Sequence, residues 1–180
     1  MSKLFVGSFN HFPNVDAFLF FRDAVWPGLR VRFPEMSLTV VAGRSHGLYW
    51  RQFTGASVPP SGERIDVLDF VRDVRPLYVE SNLVIVPTTV SAGTNLKVLE
   101  AMAMERAVVS TSCGCAGLGL EHAASVWIAD DAESFAAGVA RLIESPTERA
   151  SLARAARAIA ERNFDWKQLG EKQRALYREL

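Results

Sequence analysis

Four apolar residues, Leu83-Val84-Ile85-Val86, run into Pro87, and a small polar loop containing Gly93 leads into a helix-forming segment that ends at Ala103. The order is strand, loop, helix. A strand this short and this apolar suits burial on both faces, inside a parallel sheet with helices above and below it. The unit recurs. Residues 4–7, 38–42, 65–70, 107–110 and 126–128 have the same short apolar character, most of them closed by a glycine or a polar turn. Helical patterns separate them. One covers 15–25, with Asn14 as its cap, an apolar stripe of Ala17, Phe18, Phe21 and Val25, and an end bracketed by Pro27 and Pro34. Others cover 74–80 and 95–104. Residues 44–62, with Pro59-Pro60, have the look of a loop carrying at most one helical turn. The final third is helical. Asp130 and Glu133 suggest one helix start, and Ser145-Pro146-Thr147-Glu148 suggests another. A last helix carries Trp166, Leu169, Leu176, Tyr177 and Leu180. The expected fold is therefore α/β: a single Rossmann-like, doubly wound parallel sheet of about six strands, followed by C-terminal helices.

Bulk properties narrow the function classes. A chain of 180 residues suits one domain with a real core. The formal net charge is zero, which argues against electrostatic binding to nucleic acid or to an anionic membrane. No apolar run approaches the length of a membrane span, and the first residues lack the pattern of a signal peptide. Cys113 and Cys115 are too close for an easy disulfide and have no second pair with which to hold zinc. His11, His46 and His122 are scattered, without metal-ligand spacing. These absences point to a cytoplasmic protein with reduced thiols.

In doubly wound sheets, ligands bind beyond the carboxyl ends of the strands. Three segments would meet there: Gly7-Ser8-Phe9-Asn10, Phe70-Val71-Arg72-Asp73 and the loop 87–95. A helix starting near Thr94 offers backbone N–H groups and a positive dipole end to an anion. Gly93 removes a side chain from the approach, and Thr94 and Asn95 can add hydrogen bonds. Lys97 brings a cation into the first turn. Glu100, three residues on, shares its face, and a carboxylate can accept two hydrogen bonds from a pair of sugar hydroxyls. The set suits the diphosphate and ribose of a nucleotide. Alternatively, Lys97 and Glu100 form a surface ion pair worth only ~0.3–0.5 kcal/mol. His11 and Arg44 sit in neighbouring loops, where each could face the ligand or solvent.

The stretch Gly-Thr-Asn-Leu-Lys-Val-Leu-Glu-Ala-Met-Ala, with Ala107-Val-Val-Ser-Thr and Gly114 to Leu118 after it, resembles the donor-binding half of retaining group 1 glycosyltransferases. These are family 4 enzymes built from two Rossmann domains, the GT-B architecture. Phe5-Val6-Gly7-Ser8-Phe9, Pro13-Asn14-Val15-Asp16-Ala17, Asp69 to Val74 and Phe164-Asp165-Trp166 match the same half in order, so the resemblance spans essentially the whole chain. It implies that residues 1–180 form a nucleotide-sugar (donor) binding domain. The substrate would be a nucleotide-diphosphate sugar, with no cofactor and no metal. Glu100 would hold the ribose, Gly93 and Thr94 would meet the diphosphate, Phe70 and Val71 would line the base pocket, and Gly7 would let the first loop approach the phosphates. Ala92 stands where many members carry a second glutamate, and Ser8 and Pro13 stand where an arginine and a lysine usually clamp the diphosphate. Lys97 would then take over the charge. The acceptor domain of the family would lie upstream of this chain, so the isolated chain is expected to be inactive and to need that domain or a separate acceptor-binding chain. A non-catalytic nucleotide-sugar binding module, or the donor subunit of a two-chain transferase, is the alternative. In the family the last helix crosses back onto the missing half. Trp166 and Tyr177 would then be exposed here, unless they pack locally.

Overall fold

The computed structural model describes residues 2–57, 61–62, 64–90 and 93–178. Six parallel strands form one sheet: β1 (Ser2–Val6), β2 (Ser37–Val41), β3 (Ile65–Leu68), β4 (Leu83–Val86), β5 (Ala107–Ser110) and β6 (Trp127–Ile128). Their spatial order is β3-β2-β1-β4-β5-β6. The chain builds outward from β1 in one direction, then returns to β1's other side and builds outward again. The junction of β1 and β4 is thus the topological switch point, where such sheets open a crevice at their carboxyl edge.

The apolar runs make this order stable because each strand feeds two cores. Phe5, Val40, Ile85 and Val109 point to one face, under α1 (Phe12–Phe20), α2 (Trp26–Arg32) and α7 (Ala132–Glu144). Leu4, Val41, Val84 and Val108 point to the other, under α4 (Arg75–Glu80), α5 (Leu96–Ala103) and α8 (Pro146–Asn163). All residues of β4 and β5 are buried, as the sequence pattern implies for central parallel strands. The expected α/β fold and its six strands are present. No helix among the described residues is long and apolar enough to cross a membrane.

Several boundaries differ from expectation, each for a physical reason. The first helix starts at Phe12 after His11, not after Asn14, and Pro13 fits in its first turn, where a missing N–H is harmless. Nor does it stop at Pro27. A five-residue π-helical turn, Phe21–Val25, widens the ladder and lets α2 restart with Pro27 in its own first turn. Residues 46–54 form a full helix, α3 (His46–Thr54), closed by Gly55 at φ 74° and anchored by the buried Trp50. The third strand stops at Leu68, which leaves Phe70 and Val71 in the loop. A short helix, α6 (Ser112–Cys115), follows β5 unanticipated. Asp131, not Asp130, caps α7 by accepting from the Ser134 N–H. Asp130 Oδ1 instead receives the Ser112 N–H at 2.7 Å. Ser145 caps α8 as its Ser-Pro-x-Glu pattern implies. Cys113 and Cys115 are free thiols. The last helix, α9 (Trp166–Arg178), leaves Trp166 87% and Tyr177 70% exposed, which decides between the two alternatives for those residues. Pro59, Pro60 and Leu180 lie outside the described residues.

Candidate functional site

Two loops flank the switch point, one after β1 and one after β4. They lead into helices on opposite faces of the sheet, α1 and α5. The first loop is drawn toward β2: the Gly7 N–H donates to Val41 O at 3.0 Å, and the Phe9 N–H to Ala42 O at 2.7 Å. Phe9 is buried and stacks on Trp50 with ring centroids 5.7 Å apart. Gly7 has no room for a side chain, because an added Cβ would stand 2.9 Å from the Asn14 carboxamide. The missing side chain therefore makes room for Asn14 rather than leaving the loop bare.

Asn14 turns back from α1 into that space. Its Nδ2 donates to Ser8 O at 2.8 Å, and its Oδ1 accepts from Lys97 Nζ at 2.7 Å. One carboxamide thus joins the first loop to the helix after β4, across the switch point. Lys97 reaches inward over the Phe5 ring, 5.9 Å from its centroid, and burial pushes its pKa down to about 8. No ion pair joins Lys97 to Glu100 among the described residues, so the surface-pair alternative does not describe their geometry.

Glu100 is held from a different side. The Tyr78 hydroxyl donates to its Oε2 at 2.8 Å and lies 3.3 Å from Lys97 O. Tyr78 is completely buried. Burial first, and the Glu100 charge second, drive its pKa far up, so the phenol stays protonated and remains a donor. Glu100 also lines a cavity of about 620 Å³ with Thr94, Leu96, Arg157, Phe164 and Trp166.

The start of α5 is fixed without being capped by its own side chain. Gly93 takes φ +99°, a conformation that favours glycine. Asn95, at the cap position, makes no side-chain bond to the helix. Its Nδ2 donates instead to Gly114 O at 2.9 Å, pinning the loop to α6. The other end of α5 is well supplied: the Arg157 guanidinium donates to Ala103 O, and Arg106 Nε to Met104 O at 3.0 Å.

The predicted site residues therefore divide into three groups. Gly7, Ser8 and Lys97 form one network through Asn14. Gly93, Thr94, Asn95 and Glu100 form the start and exposed face of α5. Phe70 and Val71 follow β3, two strands from β1. Phe70 is 55% exposed with the Arg44 guanidinium 4.4 Å from its ring centroid, while Val71 packs against the apolar cluster of the α4 face. His11 sits at the cap position of α1 and is exposed. Ala92 lies outside the described residues. Sequence reasoning missed the roles of Asn14 and Tyr78. An asparagine after a proline has the signature of a helix cap, and Tyr78 meets Glu100 across 22 positions, so neither contact leaves a local signal.

A family model described as Glycosyl transferases group 1 matches residues 2–145. A Klebsiella pneumoniae protein described as an uncharacterized 44.6 kDa protein in the cps region is 26% identical over 168 residues, 92% of this chain and 43% of that protein. The chain thus spans less than half the length of this relative. Among solved structures, the C-terminal domain of LpcC, a group 1 family glycosyl transferase of Francisella tularensis, aligns with a TM-score of 0.70 at 15% identity, over 92% of this chain and 87% of that one. HepE of Anabaena, in complex with UDP and glucose, aligns with a TM-score of 0.73 at 18% identity, over 99% of this chain and 48% of that one. A glycosyltransferase from Rickettsia africae aligns with a TM-score of 0.77 at 15% identity, over 99% and 47%. These structural likenesses bear on the fold, which is that of a GT-B C-terminal domain. With the sequence match over most of its length, the chain belongs to the group 1 glycosyl transferase family.

Proposed function

We propose that the chain is the donor-binding half of a retaining, metal-independent family 4 glycosyltransferase of hexosyltransferase type, taking sugar from a nucleotide-diphosphate sugar. The observation that carries this is the start of α5, where the cap-position side chain of Asn95 turns away to Gly114 O, one turn from a carboxylate fixed by a buried tyrosine. HepE, similar in fold, holds UDP and glucose. Here the backbone of Gly93 and Thr94, with the helix dipole, takes the diphosphate. Asn95 keeps that loop in place, and Lys97 adds charge from the side of Gly7 and Ser8. Glu100 accepts the ribose hydroxyls while Tyr78 holds its other oxygen. Phe70, Val71 and Arg44 border the base. As the diphosphate leaves, helix end and ammonium meet its growing charge, so the chemistry needs no metal. The donor is a substrate, and no resident cofactor is required.

The acceptor comes from an N-terminal acceptor domain or a separate acceptor-binding chain, and the isolated chain binds without transferring. The exposed apolar face of α9 is where that half packs. Free Cys113 and Cys115 suit a cytoplasmic location.

Calorimetry against UDP, GDP, ADP and their sugars tests the donor site. Binding of at least one of them, unchanged by EDTA, is expected, and no binding of any would overturn the proposal. Ser8 and Pro13, where the family's clamp cations usually stand, favour the second possibility of a non-catalytic binding module. The two separate on sugar transfer once an acceptor half is supplied: donor binding without turnover leaves the module.

A further inference from the structure

We propose that Asn14 is the positioning residue of the donor site, its carboxamide tying the first loop to Lys97 so that ammonium and loop meet a diphosphate as one unit. The inference rests on the donor-site assignment above and adds a residue to it.

Three observations converge on Asn14. It makes two bonds in opposite senses, donating to Ser8 O at 2.8 Å and accepting from Lys97 Nζ at 2.7 Å. Those partners belong to the loop after β1 and the helix after β4, the two elements that flank the switch point. The space for the carboxamide exists only because residue 7 is glycine.

The choice of residue type follows from the task. Lys97 is a long, flexible cation in a largely desolvated place, so an acceptor must hold its ammonium. A carboxylate would hold it more strongly but would cancel the charge an anionic ligand needs. A hydroxyl has a shorter reach than the two-ended carboxamide. Asparagine holds the ammonium with a neutral oxygen and uses its amide hydrogens on the loop. Asn14 makes no contact with the ligand in this scheme and acts through Lys97 and Ser8.

The test is a double-mutant cycle on nucleotide affinity, using whichever of UDP, GDP and ADP the wild-type chain binds. Asn14→Ala and Lys97→Ala are each expected to weaken binding about tenfold. The double variant should bind no more weakly than Lys97→Ala alone. Asn14→Asp keeps the shape and the acceptor toward Lys97 but neutralises its charge, and it should bind more weakly than Asn14→Ala. A residue with only a structural role would move melting temperature without this order of affinities. Multiplicative losses in the double variant, or Asn14→Asp binding as well as wild type, would overturn the proposal while leaving the donor site intact. If wild type binds none of the three nucleotides, the donor site fails and Asn14's role fails with it. Should Asn14→Ala not fold, the comparison of Asn14→Asp with wild type decides alone.

Discussion

The hydroxyl of Tyr78 on α4 donates to Glu100 Oε2 on α5 at 2.8 Å, and Tyr78 is completely buried while Glu100 is exposed. A side chain that packs with the core therefore sets the rotamer of a carboxylate at the surface. Removing the hydroxyl loses one hydrogen bond to a charged acceptor and lets Glu100 turn freely. Tyr78→Phe is expected to cost about 1–2 kcal/mol in denaturant unfolding. It should also raise the dissociation constant for the bound nucleoside diphosphate several-fold by calorimetry. A variant with lower stability and unaltered affinity would show that Glu100 needs no such support.

Lys97 predicts opposite pH trends for binding and folding. Its folded pKa lies near 8, below the ordinary 10.5, because burial disfavours the charged form. Below pH 8 the ammonium is present in both states and its full desolvation cost is felt. As pH rises from about 8 toward 10.5 the folded state sheds the proton first, so this residue's contribution makes the fold more stable. An anionic ligand wants the ammonium, so its affinity should fall as pH passes about 8. Lys3, also lowered to about 8 by burial and by Arg149, shares the stability trend and not the binding trend. Binding measured at pH 7 and pH 9 should differ in wild type and not in Lys97→Met. An equal pH dependence in both would exclude Lys97 as the titrating group.

Gly114 predicts a structural fault transmitted to the loop before α5. An added Cβ would come 2.9 Å from Val86 O, a strand carbonyl that cannot move cheaply. Gly114→Ala is expected to destabilise by about 1–3 kcal/mol through overpacking. Because Gly114 O accepts from Asn95, the same change should weaken nucleotide binding. Thermal unfolding and calorimetry on one sample check both. A Tm equal to wild type would mean that β4 and α6 part more easily than the packing implies.

Trp166 predicts the reverse pattern. At 87% exposure it has little to lose, so Trp166→Ala should leave the unfolding free energy of the chain within about 0.5 kcal/mol of wild type. Its effect should show when an acceptor half is added, as weaker association in sedimentation or a pull-down. Strong destabilisation of the chain alone would contradict the exposure.

Strand positions were legible in the sequence because a buried parallel strand is apolar throughout, and β4 and β5 fall at the anticipated residues. The α8 start was legible because Ser145, Pro146 and Glu148 carry a signature complete within four residues. The course of α1 was not, since Pro27 ends a helix in local terms and only the π-helical turn before it makes a continuation possible. At the site, the α5 start could be read locally. Asn14 could not: its partners, Ser8 and Lys97, come together only when β4 lies beside β1, a pairing set by the whole sheet. The place of Arg44 over Phe70 was hidden for the same reason, because each follows a different strand.

The two arginines at the far end of α5 bear on how strongly its near end can act. Arg157 and Arg106 donate to the carbonyls of Ala103 and Met104, where the helix carries its negative pole. With that pole grounded, the field beyond the helix is no longer that of a balanced pair of opposite charges, which fades quickly with distance. It approaches that of a single partial positive charge at Leu96. A segment of only eight residues can thereby attract an anion as a much longer helix would, with α8 acting through the opposite end of α5.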